Sequence, residues 1–550
     1  MKKAISLLMT ACMIVSLCAT FATTICATSP EIWNGTNATF VAGNFAGGDG
    51  TEANPYLIAT PTQLSMLHGG AYAAGKFFKL TNDIYLNDIS TFDTNWSNES
   101  WRSANLHAWT PIDTLRGGFD GDGHTIYGLY LVAANAKTGL FSDVRGYAVV
   151  KNLNLGKGLV TGTFARGTAQ TEGVGSLIGW IPNDRDTDVM IQNCHSAVNI
   201  DISVNLANGD YYNGIGGLIG TGVYKKDNAK ETIQNCSYTG FIKVHNIGEG
   251  SVLAVGGIIG HVSVMQSTQR CTISGCKNYG DITVTKEESK NNSKGIGGIV
   301  GEIGYGATAG TVNISNCYNC GTITSDIASG ANTGGIVGFY RNGPLTLEKC
   351  FNFGHISGTW GRGLITAWVG FTMDNCYYTN AAIEYDLQAG QTITGSAPIR
   401  MEFEELGAKI RHYWTEFYKN DEKIAEGQAL LYGFTFASDL LQKDYGYKLG
   451  VIFGKDADLT WENKKTNLEI KHGTYSSETK ITDFSGYLIG IGLANLSVEY
   501  SARAYLMDEA GNIVLYSDVL TRSVNGTAVA AGGSLDASGN YVGGNLEVIS

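Results

Sequence analysis

Sulfur and carboxylate groups are where this sequence could support chemistry. Cys317 and Cys320 form a C-x-x-C pair, and Cys271 and Cys276 precede them by about one repeat, so a four-sulfur zinc site can be drawn. Such sites take their ligands from paired short spacings close together, and this set does not supply them. Asp120-Gly121-Asp122-Gly123 and the trio Asp184, Asp186 and Asp188 are the densest acidic spots. Calcium needs more oxygen ligands at the spacing of a D-x-D-x-D-G loop; the expected roles here are tight turns and a solvated loop. The histidines are scattered without an H-E-x-x-H pair, and no G-x-S-x-G nucleophile elbow occurs. Gly214-Ile215-Gly216-Gly217 looks like a phosphate-binding fingerprint, but no helix follows it, and one phosphate loop would not recur along a chain. No cofactor or metal is expected.

The recurrence points to the elements behind these residues. GVGSLIG (173–179), GIGGLIG (214–220), AVGGIIG (254–260), GIGGIVG (295–301) and TGGIVG (333–338) repeat one motif. Each precedes a second: MIQNCHS (190–196), TIQNCSY (232–238), TISGCKN (272–278), NISNCYN (313–319) and TLEKCFN (346–352), with a sixth copy, TMDNCYY, at 372–378. Alternating segments such as GFIKV, GDITV and GTITS follow. Short alternating runs bounded by Gly or Asn are strand signals. The second-motif cysteines are 42, 40, 41, 33 and 26 residues apart. The shortest interval holds three short strands with their bends, so one repeat is one rung of a solenoid.

In stacked rungs, equivalent residues form columns about 4.8 Å apart. Three positions before each cysteine stand Ile191, Ile233, Ile273, Ile314, Leu347 and Met373, an inward apolar column. Just before it stand Asn193, Asn235, Gly275, Asn316, Lys349 and Asn375. Asn and Gly tolerate the left-handed backbone of a sharp bend; Lys349 departs from that rule. Upstream, AVVKNLNLG and HTIYGLYL fit the register, which predicts one buried ladder of Leu129, Leu153, Cys194, Cys236, Cys276, Cys317, Cys350 and Cys376. A position that accepts Leu is apolar, so the cysteines are expected as buried thiols behaving as small hydrophobes, with disulfides as the alternative. After each cysteine come His195, Ser237, Lys277, Tyr318, Phe351 and Tyr377. If the cysteine points in, its neighbour points out. Tyr318, Phe351 and Tyr377 are therefore the expected binding residues, a solvent-facing strip with Asn319 and Asn352 beside it, on which sugar rings could stack. The alternative is that these rings pack together and stabilise the last rungs.

The repeats GSLIG, GGLIG, GGIIG and GGIVG, with GGDGTEANPYLIATPTQLSMLHGG, WTPI and GGFDGDGHTIYGLYL before them, resemble the GLUG-repeat family of bacterial surface proteins. Repeats of this kind also accompany the catalytic region of immunoglobulin A peptidases, which is missing here. The resemblance covers roughly residues 46–380 and implies a right-handed β-helix at the cell surface or outside the cell; it implies no reaction.

The first 27 residues, Lys2 and Lys3 followed by an apolar run and a small-residue cleavage site, read as a secretory signal peptide. No later stretch is long and apolar enough for a transmembrane helix. Glycine at 73 of 550 residues against 7 prolines suits a repeat with many fixed turns. A net charge of −12 argues against nucleic acid and anionic lipid as partners. A leader (28–45), a capped β-helix (46–395), a β-sandwich-like module (396–525) and a flexible tail (526–550) complete the expected organisation, all-β throughout. The tail carries no L-P-x-T-G sorting motif, so covalent wall anchoring is not expected. The expected function is an extracellular binding or adhesion protein, not an enzyme, whose partner is a glycan or a host or cell-surface protein. The rivals are a carbohydrate-active β-helix enzyme, which would need a tight carboxylate cluster on one face, and a structural spacer.

Overall fold

The computed structural model describes residues 30–543 apart from 69–73, 135–136, 166–172, 184–187, 206–212, 225–228, 248–253, 265–266, 287–294, 305–309, 327–331, 342, 359–361, 364, 368–370, 380–393, 396–398, 411–413, 444 and 471–472. The expected signal peptide, Asp184, Asp186 and residues 544–550 lie outside the described residues.

The repeats stack as a parallel β-helix. The rung Lys230–Gln234, Ser237–Tyr238 and Ile242–Asn246 pairs in parallel with Asp188–Asn205 on one side. On the other it meets Arg270–Ser274, Lys277–Asn278 and Ile282–Lys286. Ile191, Ile233, Ile273, Ile314, Leu347 and Met373 are in register and fully buried. Burying each such side chain contributes about 1.5–3 kcal/mol, so the column is a main source of stacking energy. At the neighbouring bend, Asn152, Asn193, Asn235, Gly275, Asn316, Lys349 and Asn375 all have φ between 48° and 62°. Lys349 thus adopts the same left-handed turn as the asparagines. Its ammonium lies 3.2 Å from Glu348 and 5.7 Å from the centre of the Tyr445 ring.

The glycine motif is two strands, not one. Gly214–Gly216 and Ile219–Tyr224 lie in different sheets, with the bend at Gly217 and Leu218 between them. Crowding dictates the glycines. A Cβ on Gly216 would fall 2.0 Å from the Ile219 carbonyl oxygen, and one on Gly217 would fall 2.1 Å from that of Gly257 in the next rung.

At the N-terminal end, Tyr56–Ile58 pairs with Ala74–Leu80, which pairs with Ile112–Asp120. Trp33 and Phe45, from the stretch read as a leader, are buried in the same core and belong to this cap. At the other end, Ile399–Ile410 first extends the solenoid in parallel with Tyr377–Thr379 and then turns antiparallel to Glu422–Ala437. Glu422–Ala437 pairs onward with Ile481–Ile491. A second antiparallel sheet has Lys448–Gly454 between Thr466–Ile470 and Tyr500–Met507. Tyr432, Phe434 and Phe436 of the first sheet share one core with Val451, Phe453, Ala502 and Leu506 of the second, which makes the module a sandwich. The tail expected to be flexible is in part folded onto it. Ser523 caps the helix Val524–Ala530, and Ala528 and Tyr541 are buried in the module core. Its small residues read as a linker but permit this close packing.

Candidate functional site

The six ladder cysteines occupy one interior column with Leu153, which pairs with Cys194. Each thiol donates weakly to a carbonyl oxygen of the preceding rung, from Cys194 to Val150 at 3.6 Å through to Cys376 to Leu347 at 3.8 Å. Burial pushes the Cys276 and Cys350 thiols well above their usual range, so they are poor nucleophiles. Leu129 requires a correction. It is buried, but its carbonyl accepts from Leu159, beside Gly158 and Val198, and it does not join the ladder. Phe119, not Ile126, stands opposite Val150, and Ile126 stands opposite Leu155. The segment HTIYGLYL therefore belongs to the strands after the bend, five residues further along the rung than its resemblance to KNLNL suggests.

Tyr318, Phe351 and Tyr377 are in register on neighbouring rungs, and the rings of the last two stack at 5.2 Å. They do not face solvent: their exposures are 3%, 3% and 0%. The C-terminal module covers them, with Tyr447 lying 5.2 Å from Phe351 and Tyr445 6.5 Å from Tyr377. Asn319 and Asn352 point the other way, into the interior. There Asn278 donates to Asn319 at 2.7 Å and Asn319 to Asn352 at 2.9 Å. The strip is therefore an internal docking face. Asp508, in a turn of the module, reaches back to it. Its Oδ2 accepts from Tyr318 at 2.5 Å and from Lys277 at 3.0 Å, while Asn512 donates to both carboxylate oxygens. Burial works to raise the Asp508 carboxyl; hydrogen bonds from Tyr318, Asn512 and Lys277 outweigh it and hold the group below its ordinary value.

The acidic spots are paired or dispersed. Asp120 meets Lys151 at 3.3 Å and Asp122 meets Lys79 at 3.0 Å. Asp188 is exposed beside Lys230 of the next rung. Among the described residues, no three His, Cys, Asp or Glu side chains are grouped to hold a metal ion, and no helix is long and apolar enough to cross a membrane.

Two open concavities of similar size are present among the described residues: one of about 700 Å³ at the junction, edged by Lys277, Lys349, Tyr445, Tyr447 and Asp508, and one on another face, a groove of about 710 Å³ over the last strand of the early rungs. The floor of this groove is a grid of outward side chains. Thr161, Asp201 and Lys243 form one column, and Thr163, Ser203 and His245 the next. Beside them, Asn199 follows Leu159 and accepts from the Phe241 backbone at 3.2 Å. The wall is the short helical insertion 92–105, which supplies Phe92, Asp93, Glu99 and Arg102. It is held in place by Trp96 against Tyr130 and Leu159, and by Lys157 on Asp93 at 2.5 Å. Parallel strands fix the floor at a spacing of about 4.8 Å. The site can therefore offer ring stacking, hydroxyls and charges in a preset arrangement. Sequence reasoning missed it. The available signal was Trp96 and Trp101 in a polar stretch between two recognisable strand motifs.

No known protein-family model matches the chain. A segment of 116 residues, 21% of the chain, is 31% identical to Halomucin of Haloquadratum walsbyi. The chain spans about 1% of that protein's length. A crystal structure from Bacteroides ovatus, described provisionally as that of an immunoglobulin A1 protease, is similar at 19% identity and a TM-score of 0.39, over 65% of this chain and 86% of that one.

Proposed function

We propose that this chain is an exported, surface-associated binding protein of the GLUG-repeat type that takes a glycan in the groove walled by residues 92–105. The groove itself carries the reading. An aromatic ring (Phe241), hydroxyls (Thr161, Ser203) and charged groups (Asp201, Lys243) converge on a rigid floor, the mixture of apolar face and placed polar groups that ligand sites use. The apolar run within the first 27 residues and the glycine-rich repeats support the placement outside the cell. A glycan array probed with the chain from residue 28 onward, and with its Phe241→Ala variant, tests it. Specific binding that Phe241→Ala abolishes without changing the melting temperature is the expected result. A chain that binds nothing on the array would leave the spacer reading.

One observation favours a second reading. Asp93 and Glu99 on the wall and Asp201 on the floor bring carboxylates to both sides of the groove, and glycoside hydrolysis uses a carboxylate pair flanking the bond. Release of reducing ends from a bound polysaccharide, lost in Glu99→Gln or Asp201→Asn, would replace the binding protein with a hydrolase.

A further inference from the structure

We infer that the ligand of this groove is an uncharged, hydroxyl-rich glycan and not a uronate polymer, an inference that rests on the glycan reading of the same groove. Charge is the first argument. The lining carries the carboxylates of Asp93, Glu99 and Asp201 against the cations Arg102 and Lys243, on a chain of net charge −12. With Lys157 on Asp93 the charges in and around the groove balance, so a polyanion finds no excess of cations to hold it, while the net negative charge of the chain opposes its approach.

Pairing is the second. Arg102 is already engaged, its Nη1 donating to the Trp96 carbonyl at 2.8 Å. Asp93 is held by Lys157. Glu99, Asp201 and Lys243 are the charged groups left for a ligand, the last two side by side on adjacent strands. The ammonium of Lys243 leans over the Phe241 ring, 4.6 Å from its centre, and the Asp201 side chain faces solvent. An acceptor-only carboxylate and a donor-only ammonium carried on neighbouring strands, whose backbones lie about 4.8 Å apart, can serve two neighbouring hydroxyls of a sugar ring. One hydroxyl donates to Asp201 and the other accepts from Lys243. Once the Lys243 ammonium leaves the ring for a ligand hydroxyl, Phe241 supplies an apolar face for the C–H side of the sugar. A uronate in the same place would set its carboxylate against Asp201 and Glu99.

Isothermal titration of the chain from residue 28 onward decides this, with neutral oligosaccharides (β-glucan, α-glucan, mannan, xylan) and polygalacturonate as probes, each at low and high salt. The expected result is binding of a neutral oligosaccharide with an affinity insensitive to salt. That affinity should fall at least tenfold in Asp201→Ala and in Phe241→Ala at unchanged melting temperature, with no binding of polygalacturonate. Tighter binding of polygalacturonate, weakened by salt and lost in Lys243→Met, would overturn the uncharged class while leaving the groove as a glycan site. Absence of binding to every probe and to the array would overturn the glycan reading itself.

Discussion

Glu231 is the residue whose placement has the plainest consequence. It occupies an inward column between Val189 and Cys271 and is 1% exposed. Burial pushes its carboxyl from 4.5 up to about 8, opposed by a contact from the Cys271 thiol at 3.8 Å. Between those pH values the folded chain keeps a proton that the unfolded chain has lost. Stability therefore falls as pH rises, by about 1.4 kcal/mol per unit at most, and levels off above the folded value. His261 works in the opposite sense at lower pH. Burial and Arg341 push it down to about 3, so its contribution is lost as pH falls below its ordinary 6.5. The cleaner window is about pH 6.5–7.5, below the range in which thiols of the unfolded chain begin to ionise while their buried counterparts stay protonated. Urea midpoints across it should decline more steeply for the native chain than for Glu231→Gln; equal slopes would remove Glu231 as the cause. At this scale the sequence was largely legible. The asparagine column showed through because few residues tolerate a left-handed bend. Glu231 was missed although strand alternation from Ile233 points it inward, in a column with Val189, Cys271, Val312 and Leu345; a carboxylate is the residue type least expected there.

Elements were legible where a period marked them and obscure where two elements meet. The rung and its stacking followed from the repeat, but HTIYGLYL, which looks like the ladder segment, pairs with the strand after the bend, while Phe119 holds the place expected for Ile126. The direction of Tyr318, Phe351 and Tyr377 away from the rung interior follows from strand alternation, but which element covers them depends on where the C-terminal module docks. No spacing within the repeats encodes that. The docking rests on stacked rings and on Asp508, which is 6% exposed and accepts from Tyr318, Lys277 and Asn512. Replacing Asp508 by Asn leaves these donors facing a neutral group. It should cost about 1.5–3 kcal/mol, the range for hydrogen bonds to a charged group. In calorimetry, the module of Asp508→Asn should melt earlier than the solenoid, and Lys277→Met should have little further effect in that background. A single unshifted transition would mean that the turn contributes nothing to docking. The Asp508 carboxyl is held low, so its contribution is present above the ordinary carboxylate range and lost as pH falls through the folded value; acid should reproduce the variant.

For the whole molecule, solenoid and sandwich form a continuous structure because Ile399–Ile410 belongs to both. That continuity buries the aromatic column predicted to bind, beside a junction cleft of about 700 Å³, and the early rungs carry a groove of similar size. A fold class can be read from periodicity, whereas a groove arises from the meeting of an insertion (92–105) with a floor drawn from residues 159–245, too far apart in sequence for any local pattern to join them. The central claim is therefore one of location: ligand binds over Phe241 and not at the junction with the module. Hydroxyl-radical footprinting of the chain with and without a bound glycan measures this directly, with the well-exposed Tyr147 (73%) as the reference for radical dose. The account predicts that Phe241 and Phe92 become protected while Tyr445 and Tyr447 keep their reactivity. Protection of Tyr445 and Tyr447 with Phe241 unchanged would contradict it and return the binding site to the aromatic column.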